Sequence, residues 1–395
     1  MKDVVILGTA RTPIGAFQGQ LGGVAAPDLG AAALRAAIER SDVEPDQIEQ
    51  VYLGCVLTAG VGQAPARQVT LAAGCPPSTG AVTVGKVCGS GMRAVMTAAN
   101  DLRCGDFGVV AAGGMESMSR APYLAPGARA GQRLGHGQLQ DSMILDGLWD
   151  PYGDVHMGSC GEKCAQRYSF TREQQDEFAE RSYSRAREAV EGGAFDGEIA
   201  AVEVPRRKGG SDRVERDEEP FRVDLERMPS LRPAFAKDGT ITPANASKIN
   251  DGAAAMVLTT ADRAAELGLE PRARILGQAS FAQEPEWFTT APVGAAKAVL
   301  DRVGLAPGDI DLWEVNEAFS VVTMAFVEEM GLSHDVVNVH GGAVALGHPI
   351  GASGARILVT LLHALERRGL ARGCAAICLG GGEATAVVIE REAVS

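Results

Sequence analysis

The secondary structure predicted from this sequence runs through the same order of elements twice. The elements of the first half lie at 4–8, 28–40, 51–53, the strand before Cys88 with its helix at 90–103, and 107–114. Their counterparts lie at 273–277, 293–303, 312–315, a strand at 335–339 with its helix at 351–358, and 374–382. Strands and helices that alternate in one repeated order predict two similar α/β halves. The shared order favours duplication over chance similarity between segments rich in alanine and glycine.

A segment of different composition, residues 119–248, separates the two halves. It is richer in charge, proline and glycine, and it contains one amphipathic helix predicted at 172–191. Charged stretches at 206–208 and 215–219 predict solvated loops, and 250–258 returns to the core as a buried strand or helix. We therefore predict three units: residues 1–118 plus 249–270 as the first half, 119–248 as an inserted loop domain, and 271–395 as the second half.

Charge and cysteine content limit the classes of partner and the compartment. The net charge of −13 argues against nucleic acid as a general partner, so an anionic ligand would need a local basic patch. The eight cysteines show no repeated pairing frame and no metal-ligand spacing, which is typical of reduced thiols in a cytosolic protein. The sequence shows no signal peptide and no apolar run that could span a membrane, so a cytoplasmic location is predicted.

Cys88 lies between the end of a predicted strand and the start of a predicted helix. Gly89 and Gly91 allow a tight turn there, and apolar residues recur at helical spacing over 90–103. Unpaired N–H groups and the positive end of the helix dipole stabilise a thiolate at such a position. Cys88 is therefore a candidate nucleophile for attack on a carbonyl, with neighbouring amides holding the oxyanion. The alternative is that Cys88 is a small buried hydrophobic residue.

Four other residues are candidates for the same site. His348 lies among glycines just before the second-half helix, as Cys88 does in the first half, so the two could face each other and His348 could activate the thiol. The alternative is that His348 binds its own loop. Cys378 ends an apolar strand and could move a proton at carbon, although buried strand cysteines are common. Asn316 follows a strand and could hold a water molecule or begin a helix. Glu116 ends a strand, and we interpret it as support for the site rather than a base.

Five motifs, spread over nearly the whole chain, follow a recognisable order. They lie at 87–92, 113–119, 316–319, 341–354, and at Cys378 with the three glycines at 380–382. Together they resemble the thiolase family, and within it the short-chain acetyl-CoA C-acetyltransferases. The resemblance implies the α/β thiolase fold: two similar halves in five layers, αβαβα, with a loop domain inserted in the first half.

The resemblance also implies an activity, the reversible Claisen condensation of two acetyl-CoA molecules to acetoacetyl-CoA and CoA. Cys88 would be the acylated nucleophile, His348 its activator and Cys378 the acid/base. Asn316 would hold the water that shares one oxyanion hole with His348, and the N–H groups of Cys88 and Gly380 would form the other. A longer-chain 3-ketoacyl-CoA thiolase is the nearest alternative. A ketoacyl synthase should lack Cys378, and a non-catalytic thiolase-like CoA or lipid carrier should lack one of the three reactive residues.

The same resemblance assigns substrate-binding residues and an assembly. The residues expected to contact the acyl chain and pantetheine of CoA are Leu148, His156, Met157, Phe235, Ser247, Ala318 and Phe319. CoA thioesters would be the substrates, with no permanently bound cofactor, no metal and no membrane partner. The family likeness and the stretch at 123–140, which is rich in glycine and proline, predict a homotetramer built as a dimer of dimers.

Three departures from the family pattern stand out. Gly85 replaces the usual asparagine near the nucleophile, so a supporting hydrogen bond is expected to be missing or replaced by water. Lys248 follows Ser247 where a small residue is more usual. The segment 286–290 differs from the pattern of many short-chain members, so the acyl-chain preference stays open.

Overall fold

The computed structural model describes residues 2–391, so Met1 and residues 392–395, at the ends of the two predicted halves, lie outside it. The strands are β1 (Val4–Arg11), β2 (Gly15–Ala16), β3 (Gln50–Gly54), β4 (Gly80–Val84), β5 (Val109–Ser117), β6 (Tyr123–Leu124), β7 (Gln140–Asp141), β8 (Trp149–Asp150), β9 (Val155–His156), β10 (Val202–Pro205), β11 (Ser211–Val214), β12 (Asn250–Thr260), β13 (Ala273–Ala282), β14 (Leu312–Val315), β15 (Arg372–Leu379) and β16 (Glu383–Glu390). The α-helices are α1 (Ala26–Glu39), α2 (Pro65–Ala72), α3 (Ser90–Cys104), α4 (Met157–Tyr168), α5 (Arg172–Glu191), α6 (Ala261–Leu267), α7 (Ala291–Val303), α8 (Ser320–Met330), α9 (Ala343–Leu346) and α10 (Ile350–Arg368).

One continuous sheet joins the two halves. Its strand order is β14-β15-β16-β13-β1-β12-β5-β3-β4, with β2 beside β12. In each half the strand that follows the central helix has a parallel neighbour and an antiparallel one: β5 pairs parallel with β3 and antiparallel with β12, and β15 pairs parallel with β14 and antiparallel with β16. The halves meet where β1 and β13 pair antiparallel, with Val5 opposite Arg274 and Ile6 opposite Ala273.

Five layers result, and they confirm the predicted αβαβα arrangement. α3 and α10 form the middle layer, where their apolar side chains pack between strands of both halves. α1 and α2 cover the outer face of the first half, and α7 and α8 cover that of the second. α10 is buried on all sides over residues 350–362, as a helix in an interior layer must be. No helix within residues 2–391 is both long enough and apolar enough to cross a membrane.

Glycine lets the middle layer approach the first half-sheet closely. A Cβ at Gly114 of β5 would lie 2.1 Å from the carbonyl oxygen of Gly351 in α10. Any side chain at Gly114 would therefore push the two elements apart. This contact brings the start of α10, and with it the preceding His348, against the first half of the chain.

The predicted strand at 335–339 is wrong. A 3₁₀ turn occupies His334–Val336, and only a single parallel bridge joins Val337 to Trp313. Asn338 has a left-handed backbone conformation with φ of 48°, and its side chain bonds both the N–H and the carbonyl of Val315 at 2.8 Å. This side chain takes the place of a strand at the end of β14.

The inserted segment follows its prediction in one place and departs from it in another. The helix predicted at 172–191 is α5, and Thr171 with Gln174 closes a capping box at its start. The stretch at 215–219 is not a solvated loop, because Asp217 and Glu219 are buried. Asp217 accepts two hydrogen bonds from the Arg11 guanidinium, at 2.7 and 2.8 Å. Removing one partner of such a buried pair typically costs about 3–5 kcal/mol, so this contact anchors the insertion to β1.

Candidate active site

A cavity of about 190 Å³ opens where the two halves and the insertion meet. Its wall includes the predicted residues Cys88, Leu148, His156, Met157, Phe235, Ser247, Ala318, Phe319, His348 and Gly380. Two predicted residues, Asn316 and Cys378, are fully buried beside this wall rather than part of it. Cys378 packs in one apolar cluster with Ala318 and Phe319.

A strained turn presents Cys88 to the cavity. Val87 has φ of 44°, an unfavourable conformation for a β-branched residue. The Ser90 hydroxyl stabilises the turn, since it accepts from the Lys86 N–H at 2.7 Å and donates to the Val87 carbonyl at 2.6 Å. Gly89 lets the turn pack closely, because a Cβ there would lie 2.5 Å from Cδ2 of Leu379 and would force that side chain to shift. The turn therefore holds the thiol just before α3, at the position that the sequence predicts.

The resting form of Cys88 differs from the predicted thiolate. Burial raises the pKa of this thiol to about 12, although the N–H groups of Cys88 and Gly380 act in the opposite direction. Desolvation of the charged sulfur therefore outweighs the stabilisation offered by these N–H groups. Cys88 is protonated at neutral pH and needs a base before it can act as a nucleophile.

His348 is a neutral imidazole with one ring nitrogen available. The Ser353 hydroxyl donates to the Pro349 carbonyl at 2.9 Å, so it can only accept at its 2.6 Å contact with Nδ1 of His348. Nδ1 therefore carries the proton, and Nε2 is buried with no protein partner among the described residues. Burial, and then the charge of Arg356, lowers the pKa of His348 to about 3. Nε2 can thus accept a proton.

Cys378 and Gly380 lie at and just beyond the end of β15. Burial raises the pKa of Cys378 well above its usual range, and the neighbouring charge of Cys88 acts in the same direction. Cys378 is therefore protonated at rest and close enough to Cys88 for the two thiols to influence each other. The N–H of Gly380 lowers the pKa of Cys88, as the N–H of Cys88 itself does, so both N–H groups lie near this sulfur.

Asn316 continues the direction of β14 instead of beginning a helix, because α8 starts only at Ser320. Its N–H bonds the Ala376 carbonyl at 3.0 Å. Both polar atoms of its side chain are buried, and neither has a partner among residues 2–391. A buried amide in this state can bind an ordered water molecule.

Three buried polar residues, Glu116, Asn250 and Glu317, support the segments that carry the candidate residues. Glu116 accepts from the N–H groups of Val56, Leu57 and Gly351, which agrees with the supporting position interpreted from the sequence. Burial raises the pKa of Glu116 to about 7.

Sequence reasoning missed the other two, Asn250 and Glu317. Oδ1 of Asn250 accepts from the His348 N–H at 2.9 Å. Glu317 accepts from Ser182 at 2.8 Å and from the Val344 N–H at 3.1 Å. In the sequence, Asn250 and Glu317 are each recognisable only as a polar residue at the edge of an apolar run. That pattern does not identify the hydrogen-bond partner of either residue.

The apolar wall of the cavity is built from stacked rings. His156 and Phe235 stack with their centroids 4.7 Å apart, and Phe235 meets Phe319 edge-on at 5.9 Å. Phe288, in the segment 286–290 that departs from the family pattern, also packs edge-on against Phe319, at 6.5 Å. Such a wall fits an apolar chain with few polar groups. Gly85, another departure from the family pattern, has open space around it, because a Cβ there would meet nothing within 4 Å in the described part of the chain.

Comparison with known protein families gives two matches that together span nearly the whole chain. The thiolase N-terminal domain matches residues 4–262. The thiolase C-terminal domain matches residues 269–391.

Relatives match over their full length. The acetyl-CoA acetyltransferase of Pseudomonas aeruginosa is 49% identical, over 99% of this chain and 100% of the relative. Acetyl-CoA acetyltransferase 2 of Arabidopsis thaliana is 49% identical, over 98% of this chain and 97% of the relative.

Two solved structures are similar to this chain. The acetyl-CoA acetyltransferase of Bacillus anthracis superposes with a TM-score of 0.96 at 40% identity, covering 99% of each chain. A thiolase from Ascaris suum, solved in complex with coenzyme A, gives a TM-score of 0.93 at 46% identity, covering 99% of this chain and 100% of that one.

Proposed function

This chain belongs to the thiolase family, and from that premise we propose how its residues divide the work of an acetyl-CoA acetyltransferase. The activity is the reversible condensation of two acetyl-CoA molecules to acetoacetyl-CoA and CoA. One observation carries the division of work: Cys88, His348 and Gly380 line one cavity, and Nε2 of His348 has no protein partner among the described residues.

Acylation of Cys88 is the first half-reaction. Nε2 of His348 takes the thiol proton, and the sulfur attacks the thioester carbonyl of acetyl-CoA. The N–H groups of Cys88 and Gly380 hold the oxyanion of the tetrahedral intermediate. The C–S bond to CoA then breaks, and the departing sulfur takes up the proton of Cys378. The result is acetyl-Cys88, an imidazolium at His348 and a thiolate at Cys378.

Carbon–carbon bond formation is the second half-reaction. The Cys378 thiolate removes a proton from the methyl group of a second acetyl-CoA. His348 and a water on Asn316 donate hydrogen bonds to the enolate oxygen. The enolate carbon attacks acetyl-Cys88, the bond to the Cys88 sulfur breaks, and that sulfur recovers its proton from His348. Both cysteines and His348 thereby return to their starting protonation states.

The test of the proposed function is a substrate panel in both directions. The rings of Phe288 and Phe319 and the side chain of Met157 leave a small cavity, which favours a two-carbon acyl group. We expect thiolysis of acetoacetyl-CoA to exceed that of 3-ketohexanoyl-CoA by roughly tenfold or more in kcat/KM. Release of CoA from acetyl-CoA alone measures the forward reaction. Equal or greater activity on the longer substrate would instead support a 3-ketoacyl-CoA thiolase of longer chain preference.

The proposed assembly is a homotetramer built as a dimer of dimers. The stretch at 123–140 supports it, because this stretch leaves Leu134 99% and Leu139 68% exposed around the short hairpin β6–β7. We expect light scattering at micromolar concentration to give four times the mass of one chain. A stable and active monomer under those conditions would contradict the assembly.

The domain division also remains a proposal. It places the first half at 1–118 plus 249–270, the inserted loop domain at 119–248 and the second half at 271–395. The inserted domain would bind CoA and mediate oligomerisation. The cytoplasmic location stays a prediction from the sequence.

A further inference from the structure

Lys248 stands in the cavity wall but directs its charge away from the cavity. Its Nζ donates to the carbonyls of Ala246, at 2.7 Å, and Val344, at 3.1 Å. The same Nζ lies 5.4 Å from the centre of the Tyr183 ring, which adds a cation–π contact. Within residues 2–391, the ammonium of Lys248 therefore contacts two backbone carbonyls and one aromatic ring of the protein.

The two carbonyls belong to the two sides of the site. Ala246 pairs with Phe319 and leads into Ser247, in the segment expected to bind pantetheine. Val344 belongs to α9, which is separated from His348 only by Gly347. One ammonium group thus connects the substrate wall to the loop that carries the base.

The acidic groups that face Lys248 bind the same loop. They are Glu219, from the insertion, and Glu317, from the segment after β14. Glu317 accepts from the Val344 N–H at 3.1 Å. Glu219 accepts from Nδ2 of Asn250 at 3.1 Å, and Oδ1 of the same Asn250 accepts from the His348 N–H at 2.9 Å. Lys248 and its two counter-charges therefore hold this loop at both of its ends.

We propose that Lys248 is a positioning residue that holds α9 and the loop after it, residues 343–348, so that Nε2 of His348 can take the proton of Cys88. The inference rests on the proposed role of His348. A small residue at this position would leave Ala246 and Val344 without their shared donor and would leave Glu219 and Glu317 without a counter-charge. A shift of the imidazole by a fraction of a bond length slows proton transfer, because such catalysis requires close approach of donor and acceptor.

This arrangement predicts that kcat depends on pH through the charge of Lys248. Burial lowers the pKa of Lys248 from 10.5 to about 8, against the opposing effect of Glu219 and Glu317. The positive charge is therefore present below about pH 8 and is lost as the pH rises above it. Glu314, with a pKa raised by burial to about 8, titrates in the same range but is unchanged in Lys248 variants. Comparison between variants isolates the contribution of the lysine.

The experiment compares Lys248→Met, Lys248→Arg and a control, Lys163→Met. Lys163 is an exposed lysine of α4 that pairs with Glu286, so its loss tests the removal of a nearby charge. For each protein, kcat and KM for thiolysis are measured from pH 6.5 to 9.5. The rate of Cys88 acetylation and the melting temperature are measured as well.

We expect Lys248→Met to lower kcat and the acetylation rate by about 10- to 100-fold, with a smaller change in KM. In the wild type, kcat should decline above about pH 8, partly because Lys248 loses its charge there. The Lys248→Met variant should lack that part of the decline. Lys248→Arg should restore most of kcat and move that decline to higher pH, because a guanidinium stays charged. Lys163→Met should match the wild type in all four measurements.

Two results would overturn the inference. One is a Lys248→Met protein with wild-type kcat and a wild-type alkaline decline. The other is equal loss of activity in both Lys248 variants with matching falls in melting temperature, which would make the residue merely structural. Acetylation of the wild-type protein is measured in the same experiment. If acetyl-CoA fails to acetylate the wild type, the proposed function itself is contradicted, and not only the role of Lys248.

Discussion

Replacing Cys88 with alanine should stop both the acetylation of this protein and its overall reaction. Cys88 lines the cavity that also contains His348 and Gly380, and the Gly380 N–H lowers the pKa of its thiol. Alanine offers no atom that can form a thioester, and the oxyanion hole and His348 alone cannot store the acyl group. We expect kcat to fall by roughly 10⁴-fold or more, as when other covalent enzymes lose their nucleophile.

Mass spectrometry and a CoA assay check this prediction. Mixing wild-type protein with acetyl-CoA should release free CoA and leave one acetyl group on the peptide that contains Cys88, before a second substrate binds. Cys104→Ser is the matched control, because it removes an exposed thiol from the last turn of the same helix α3. This variant should keep both acetylation and turnover. An unmodified Cys88 in a protein that still turns over would rule out the covalent intermediate.

Replacing Cys378 with alanine should separate the two half-reactions. Condensation requires a proton to leave the methyl carbon of the second acetyl-CoA, and thiolysis requires it to return. A thioester methyl is a weak carbon acid, so a base must lie nearby while donors hold the enolate. Cys378 is a buried thiol whose pKa responds to the charge of Cys88, so the two thiols lie close enough for the proposed acid/base role.

The expected losses follow from this placement. Condensation and thiolysis should fall by roughly 10²–10⁴-fold, the range typical of losing a general acid/base. Acylation of Cys88 should stay largely intact, because a thiolate is a good leaving group and CoA can depart without the Cys378 proton. Exchange of the acetyl-CoA methyl protons with deuterium from solvent should slow along with condensation.

A second cysteine on the same strand provides the control. Cys374 is buried in β15 like Cys378, but it packs in the outer core against α7 and α8. Cys374→Ala should therefore lower stability without separating the half-reactions. Near-normal condensation in Cys378→Ala would contradict the acid/base role. So would a loss of acylation as complete as that of Cys88→Ala.

Helices and strands that are specified by residues close together in the sequence form where the sequence predicts them. The helix predicted at 172–191 has those bounds in the structure because its cap, Thr171, lies next to it in sequence. β5 and β15 follow from short apolar runs that end in glycine-containing segments. The failures lie where a distant residue decides the outcome. The side chain of Asn338 bonds Val315 where a strand was predicted. Arg11, more than half the chain length away in sequence, binds Asp217 in the protein interior.

The candidate reactive residues were recognisable from the sequence because glycine turns and strand ends mark them locally, and the family resemblance implies their roles. Their protonation states were not, because a pKa depends on desolvation by the complete fold. The helix start predicts a thiolate at Cys88, whereas burial raises the pKa of that thiol to about 12. Burial and Arg356 keep His348 neutral, and a hydrogen bond from the His348 N–H to Oδ1 of Asn250 holds its backbone in place.

By itself, the sequence determined the repeated α/β order, the family and the identity of the chemical groups, since these depend on residue type and on spacing along the chain. The tertiary structure alone decided which groups meet and in which charge state. Lys248 shows the difference most directly. In the sequence it is an unusual residue after Ser247, and in the fold its ammonium joins the carbonyls of Ala246 and Val344. Only packing brings such groups together, and only packing removes the water that would otherwise weaken their interaction.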